Sequence, residues 1–271
     1  MAEAITAKLV NELRAKTGQG MMECKKALQE SGGDMEKAIV YFRAKGVKSS
    51  LTERVACEGR VIGAQSADKK SASIVEVNCN TDFTGKSEPV QKVGALAAAA
   101  LLKNADANVS EDPAVRADLT IVAQTTGENV VIGKTAALTN PTGCVGLYIY
   151  SITGKIGVIM SFSGGTASDE LIKQIGGHIA FARPLALNRD GVPAELIAKE
   201  KEIAVEQAKS TGKPQAIAEK IAEGKLNSFF AERALLDQAF FNAQVFSGTI
   251  ANFLKQNGVT LDKYVRIEVG Q

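Results

Sequence analysis

Residues 59–79, GRVIGAQSADKKSASIVEVNC, decide the fold. Apolar and polar side chains alternate in GRVIGAQ (59–65) and again in SIVEVNC (73–79), the two-residue period of a half-buried strand, and ADKK between them reads as the turn of a hairpin. A helix follows from Pro89 to Leu102. The same order recurs downstream. GLYIYSI and KIGVIMSF read as strands, SGGT as a turn, and Thr166 begins a helix that runs through LIKQIGGHIAFA to Pro184. The spacing therefore predicts an internal duplication of strand, strand and helix, each copy a sheet with a helix on one face, which places the chain in the α+β class.

Upstream of Gly59 the period is helical. Ile5, Leu9 and Leu13 recur at i, i+4 and i+8, with Thr6 as N-cap and Gly18 as stop. Met21, Cys24, Ala27 and Leu28 mark a second helix broken by Gly32-Gly33, and Asp34 caps a third, with Met35, Ala38, Ile39 and Phe42 on one face and an end at Gly46. Three short helices form a small bundle of marginal stability. The polar stretch VKSSLTER after it reads as a linker. Between Pro193 and Arg233 two helical patterns flank GKP, where Gly212 ends one and Pro214 starts the next, as in an antiparallel hairpin whose KEKE run faces solvent. An amphipathic helix near Thr249 to Gln256 then leads to YVRIEV, a strand placed to rejoin the second sheet. The predicted organisation is a three-helix unit over 1–47, a linker over 48–58, a first core subdomain over 59–140, and a second over 141–271 that carries the hairpin at about 193–233.

Composition excludes several function classes. The 271 residues, 45% apolar and 23% charged, lie in the globular range. A formal charge of +2 gives no dominant grip on a phosphate backbone, so direct nucleic-acid binding is not expected. The longest apolar run, Val93 to Leu102, stops at Lys103, far short of the roughly 20 residues that cross a bilayer. Glu3, Lys8, Glu12 and Arg14 break any leader pattern, so the expected location is the cytoplasm. Four cysteines without CxxC spacing and a single histidine leave little for a metal site, and neither a P-loop nor GxGxxG occurs, so no cofactor is expected.

A few residues stand out. His178 lies on or beside the apolar face of its helix and is either a packed side chain or a partner contact. The segment NCNTDFTGK runs from a strand into a loop that places Asp82 beside Phe83; the ring either tucks under its own sheet or anchors another protein, and the carboxylate could act on a metal or cation there. Met21 and Met22 occupy adjacent helix positions, so at least one is near the surface, as core filler or as a soft contact patch.

Seven strings in order, TGQGMMECKKAL, GGDMEKAIVYFRAKG, NCNTDF, KIGV, GGHIA with Pro184 downstream, GKPQAIAEKIAEGK and RIEVG, make the chain from about residue 5 to its end resemble bacterial translation elongation factor Ts. The resemblance implies an N-terminal three-helix domain of ubiquitin-associated type, a duplicated α+β core and a helical-hairpin insertion. It implies a guanine nucleotide exchange factor for the GTPase elongation factor Tu, with no covalent chemistry of its own. It also implies contact roles: Thr81, Asp82 and Phe83 near the partner's magnesium site, Ile156, Gly157 and His178 on the same contact surface, and Met21 and Met22 in the first domain. A homodimer of the complex stays open. Family members usually follow TDF with Val-Ala; Thr84-Gly85 stands here instead, which predicts a more polar and more mobile loop. Two other classes compete: an adaptor that binds through the three helices regardless of nucleotide, and a thiol enzyme pairing Cys79 or Cys144 with His178.

Overall fold

The Thr6 hydroxyl accepts the Leu9 amide at 3.2 Å and opens α1, Ala7–Thr17, in the computed structural model of the chain, which describes residues 5–17, 19–44, 55–210 and 215–271. Helix α2 spans Met21–Glu30, and α3 spans Met35–Ala44 behind Asp34, whose carboxylate takes the Lys37 amide at 3.0 Å. Val10, Leu13, Cys24, Ala27, Leu28, Ala38 and Phe42 form their common core, which follows the helical periodicity. The expected stops at Gly18, Gly46 and Gly212, the start at Pro214 and most of the linker lie outside the described residues.

Strands β1, Glu58–Gln65, and β2, Ser71–Cys79, form the predicted antiparallel hairpin in the register Glu58↔Cys79 to Gln65↔Ala72. One short helix, two longer ones and a strand follow: α4, Asp82–Lys86; α5, Glu88–Lys103; α6, Pro113–Thr126; and β3, Val131–Thr139, which pairs antiparallel with β2. The second sheet consists of β4, Cys144–Ile149, β5, Ile156–Ser163, and β6, Thr260–Glu268, with β5 in the centre. Helix α7, Asp169–Ala182, covers its outer face. Helices α8, Ala194–Ser210, and α9, Gln215–Arg233, form the hairpin, and α10, Ile250–Gln256, precedes β6.

The duplication is deeper than strand, strand and helix. Each half closes with a third antiparallel strand, β3 in one and β6 in the other. Helix α6 and strand β3 are additions to the sequence reading: β3 is an edge strand with mostly exposed side chains, and α6 is rich in β-branched residues of modest helix propensity. Two boundaries are also corrected. The helix expected from Thr166 starts at Asp169, because the Ser168 hydroxyl accepts the Leu171 amide at 3.2 Å, and the expected loop at Asp82 and Phe83 is the short helix α4.

The two sheets pack face to face, with helices outside. On β5, Val158, Met160 and Phe162 face α7, while Ile159 joins Val61, Ala72, Ile74, Leu138, Val145 and Ile267 between the sheets. This two-sided burial explains why IGVIMSF is nearly continuous in apolar residues. A Cβ added to Gly157 would lie 2.5 Å from Val61 Cγ1, so that glycine sets how closely the sheets approach. Glu76, buried in the sheet, accepts the Lys134 amide on Oε2 and the Gly270 amide on Oε1, both at 3.0 Å, and so ties the chain end of the second half to the first.

Candidate functional site

Strand β2 delivers its last residues to a turn that is fixed from several sides. The buried Cys79 thiol donates to the Thr81 carbonyl at 3.1 Å. Burial pushes that thiol up to about 11, so at neutral pH it remains protonated and is no nucleophile. The Asn80 side-chain oxygen accepts the Asn129 amide at 2.8 Å. Glu128 accepts the Asn80 and Thr81 amides on Oε2, each at 3.0 Å, and the Thr81 hydroxyl on Oε1 at 2.6 Å. Burial raises the pKa of the Glu128 carboxyl, but the hydrogen bonds from Thr81, Thr84 and the two amides outweigh it and hold it below the usual glutamate range.

From that turn Thr81 caps α4: its hydroxyl accepts the Thr84 amide at 3.3 Å. Asp82 occupies the first turn and pairs with Lys86 at 2.7 Å. The hydrogen bond from Lys86, helped by the charges of Lys86 and Lys155, holds the Asp82 carboxyl below the usual range. Phe83 comes next, with 82% of its surface exposed. The ring does not tuck under its sheet. Thr84 and Gly85, by contrast, are buried, and a Cβ at Gly85 would meet the Gly59 backbone at 3.2–3.3 Å. The expectation of a more mobile loop at Thr84-Gly85 is corrected: α4 is packed backbone to backbone on the start of β1.

The turn between β4 and β5 lies against β1 and brings Lys155 within electrostatic reach of Asp82. The Val61 amide donates to the Gly154 carbonyl at 2.8 Å, and Lys155 pairs with Glu58. Ile152 in the same turn is 77% exposed. Ile156 and Gly157, expected at the surface, are buried: Ile156 packs in the core beneath α7, and Gly157 lies between the sheets.

His178, read in the sequence as either a packed side chain or a partner contact and given a contact role by the resemblance, is only 2% exposed. Its Nε2 lies 2.9 Å from Gln238 Oε1, and Gln238 Nε2 donates to the Glu232 carbonyl at 2.7 Å. That second bond orients the amide with its oxygen toward the histidine, so Nε2 carries the proton and Nδ1, buried, has no hydrogen-bond partner. Phe240 stacks parallel to the ring at 6.2 Å and Phe241 tilts over it at 5.9 Å. Burial lowers the imidazole pKa, and the Gln238 bond opposes this only in part, so His178 is neutral at pH 7. Its exposed neighbours are Phe241 and Phe181, the latter edge-on to Tyr150 at 4.9 Å. Neither stood out in the sequence; the available signal was that Phe181 follows His178 by three residues on one helix.

Met21 and Met22 are both exposed, at 50% and 75%, on the side of α2 away from the bundle core. Among the described residues no three His, Cys, Asp or Glu side chains gather as a metal would require. No helix among them is long and apolar enough to cross a membrane. The arrangement offers an exposed aromatic ring beside an ion-paired carboxylate.

A family model described as Elongation factor TS matches residues 80–271. Elongation factor Ts of Methylococcus capsulatus is 40% identical over 278 residues, covering 99% of this chain and 93% of that protein. The counterparts from Thioalkalivibrio sulfidiphilus, 40% identical over 276 residues (98% and 92%), and Yersinia pestis, 39% identical over 272 residues (99% and 92%), are similar to the same extent. The chain belongs to the elongation factor Ts family.

Proposed function

We propose that this chain binds elongation factor Tu carrying GDP and promotes release of the nucleotide, with Asp82 and Phe83 as the wedge. The observation that carries the reading is the Phe83 ring, 82% exposed on a helix whose turn is hydrogen-bonded on every side. An exposed aromatic on a fixed backbone supplies anchor area at low entropic cost. Thr81 holds the wedge in place. Ile156, Gly157 and His178 support the contact surface from beneath, and Met21 and Met22 add a soft apolar patch from the three-helix domain, residues 1–47. The two core subdomains, 59–140 and 141–271, frame the site.

The task is to loosen a nucleotide held by Mg²⁺ and by a cradle of backbone N–H groups and a lysine in the partner. A wedge that shifts this cradle raises the free energy of the nucleotide-bound state. A ten-thousandfold faster release needs about 5.5 kcal/mol off the barrier. Contacts made with the nucleotide-free partner provide it, and by linkage GDP or GTP weakens those contacts in turn. The partner's magnesium is the target, and the chain works in the cytoplasm without binding nucleic acid or membrane.

Release of a fluorescent GDP from elongation factor Tu, with and without the chain, tests the proposal. Acceleration that saturates with the chain is expected; a rate unchanged by the chain overturns it. The exposed methionine pair also suits an adaptor, which differs in one respect: its binding is indifferent to added GDP.

A further inference from the structure

Glu128 reaches the candidate site from 47 positions downstream of Thr81, and nothing near it in sequence marks it. Gly127, in the left-handed conformation (φ 68°), ends α6 and turns the chain so that residues 128 and 129 both address the turn after β2. We infer that Glu128 is a positioning residue for the Asp82–Phe83 pair, acting through the Thr81 hydroxyl and the amides of Asn80 and Thr81 without touching the partner; this rests on the reading of Phe83 as the anchor.

The chemistry is directional. A hydroxyl has one proton, and that of Thr81 is committed to Glu128 Oε1. Its lone pairs are thereby turned toward the Thr84 amide, the bond that starts α4. The other carboxylate oxygen takes two amides that would otherwise point into an unpaired turn. Phe83 has little packing of its own, so the direction of its ring is set by the backbone of residues 81–84. Removing Glu128 releases the cap, frays a five-residue helix and lets the ring sample directions that do not fit the partner.

Loss of preorganisation is a loss of affinity, while the complex once formed is the same. The test is fluorescent GDP release from elongation factor Tu titrated with full-length Glu128→Ala, Glu128→Gln and Phe83→Ala, each also melted. Glu128→Ala is expected to raise the half-saturating concentration about tenfold, with the rate at saturation within about twofold of the parent. Glu128→Gln keeps one oxygen for the two amides but turns an NH₂ toward the Thr81 hydroxyl, so it should fall between the two and shows the effect even where the alanine variant folds poorly. An unchanged half-saturating concentration in both variants overturns the inference, as does a fall in the saturating rate that only follows the melting temperature. If Phe83→Ala also exchanges normally, the anchor reading itself fails. If Phe83→Ala is impaired while both Glu128 variants are normal, only the role of Glu128 is lost.

Discussion

A Cβ built on Gly85 lies 3.2 Å from the Cα of Gly59, so α4 rests on the first residues of β1 with no side chain between them. Gly59 is itself constrained, with φ at +147° and a would-be Cβ only 2.1 Å from the Val77 carbonyl oxygen. Gly85→Ala should force the two backbones a few tenths of an ångström apart and cost about 1–2 kcal/mol as overpacking. Gly59→Ala should cost more, since backbone strain is added. Urea unfolding of both variants checks the order; equal stability of Gly85→Ala and the parent would show that α4 is free to shift.

Phe83→Ala should leave stability almost unchanged, because the ring is exposed. Its effect belongs in exchange, where loss of a central aromatic anchor commonly costs about 2 kcal/mol or more, roughly a thirtyfold weaker complex. Melting and GDP-release assays on the same sample separate the two. A clearly lower melting temperature with a normal complex would return Phe83 to the core.

The physical reasons for what was legible in sequence differ from site to site. The helices around Leu13, Cys24 and Ala38 could be read because each buries one face, and one-sided burial prints a period; the hairpin at residues 59–79 could be read although β2 is buried on both faces, because Ser73, Glu76 and Asn78 interrupt its apolar run and the polar ADKK marks its turn. Strand β3 could not, since at the sheet edge its side chains are mostly exposed and the period fades. Phe83 was visible as an aromatic beside a turn, but its exposure follows from Glu128 and Gly59, residues distant in sequence. His178 has two open readings in sequence because the residue that covers one of its ring nitrogens, Gln238, lies 60 positions away. For Ile156 and Gly157 the apolar run to Phe162 already signals burial on both faces, which argues against a surface position.

Glu76 should be intolerant even of its amide. Its side chain is buried, and its two oxygens accept the Lys134 amide on the edge strand β3 and the Gly270 amide just beyond β6. Gln supplies one acceptor and turns an NH₂ toward the other N–H, a donor facing a donor. Both Glu76→Gln and Glu76→Ala should destabilise by about 1 kcal/mol or more, as the part-buried Lys134 and Gly270 amides lose an acceptor. Unfolding curves of the pair measure this, and a Glu76→Gln variant as stable as the parent would refute it.

If Asp82 and Phe83 act on the partner's metal, chelating Mg²⁺ should already speed GDP release and leave the chain less to add. A clear drop in the fold-acceleration on chelation is expected. The same acceleration with and without Mg²⁺ would place the action on the phosphate cradle instead.

His178 ties stability to pH. It is the only histidine, and burial lowers its pKa in the folded chain, so below the unfolded value of about 6.5 the unfolded state binds the extra proton first. Stability is therefore flat above pH 6.5 with respect to this group and falls as the pH drops below it, by at most about 1.4 kcal/mol per pH unit. Asp34, Asp68, Asp82 and Glu128 also have lowered values, but their contributions fade only as the pH approaches the unfolded carboxylate range near 4, so pH 5 to 6.5 isolates the imidazole. His178→Gln keeps a donor for Gln238 and should flatten the slope in that window. His178→Ala should flatten it too, and in addition lower stability by about 2 kcal/mol for the cavity left among Phe240, Phe241 and α7. Urea midpoints at pH 5, 6, 7 and 8 for the three proteins decide the matter. A parent as stable at pH 5 as at pH 7 would mean that the ring accepts its second proton without cost, and hence that Nδ1 reaches water.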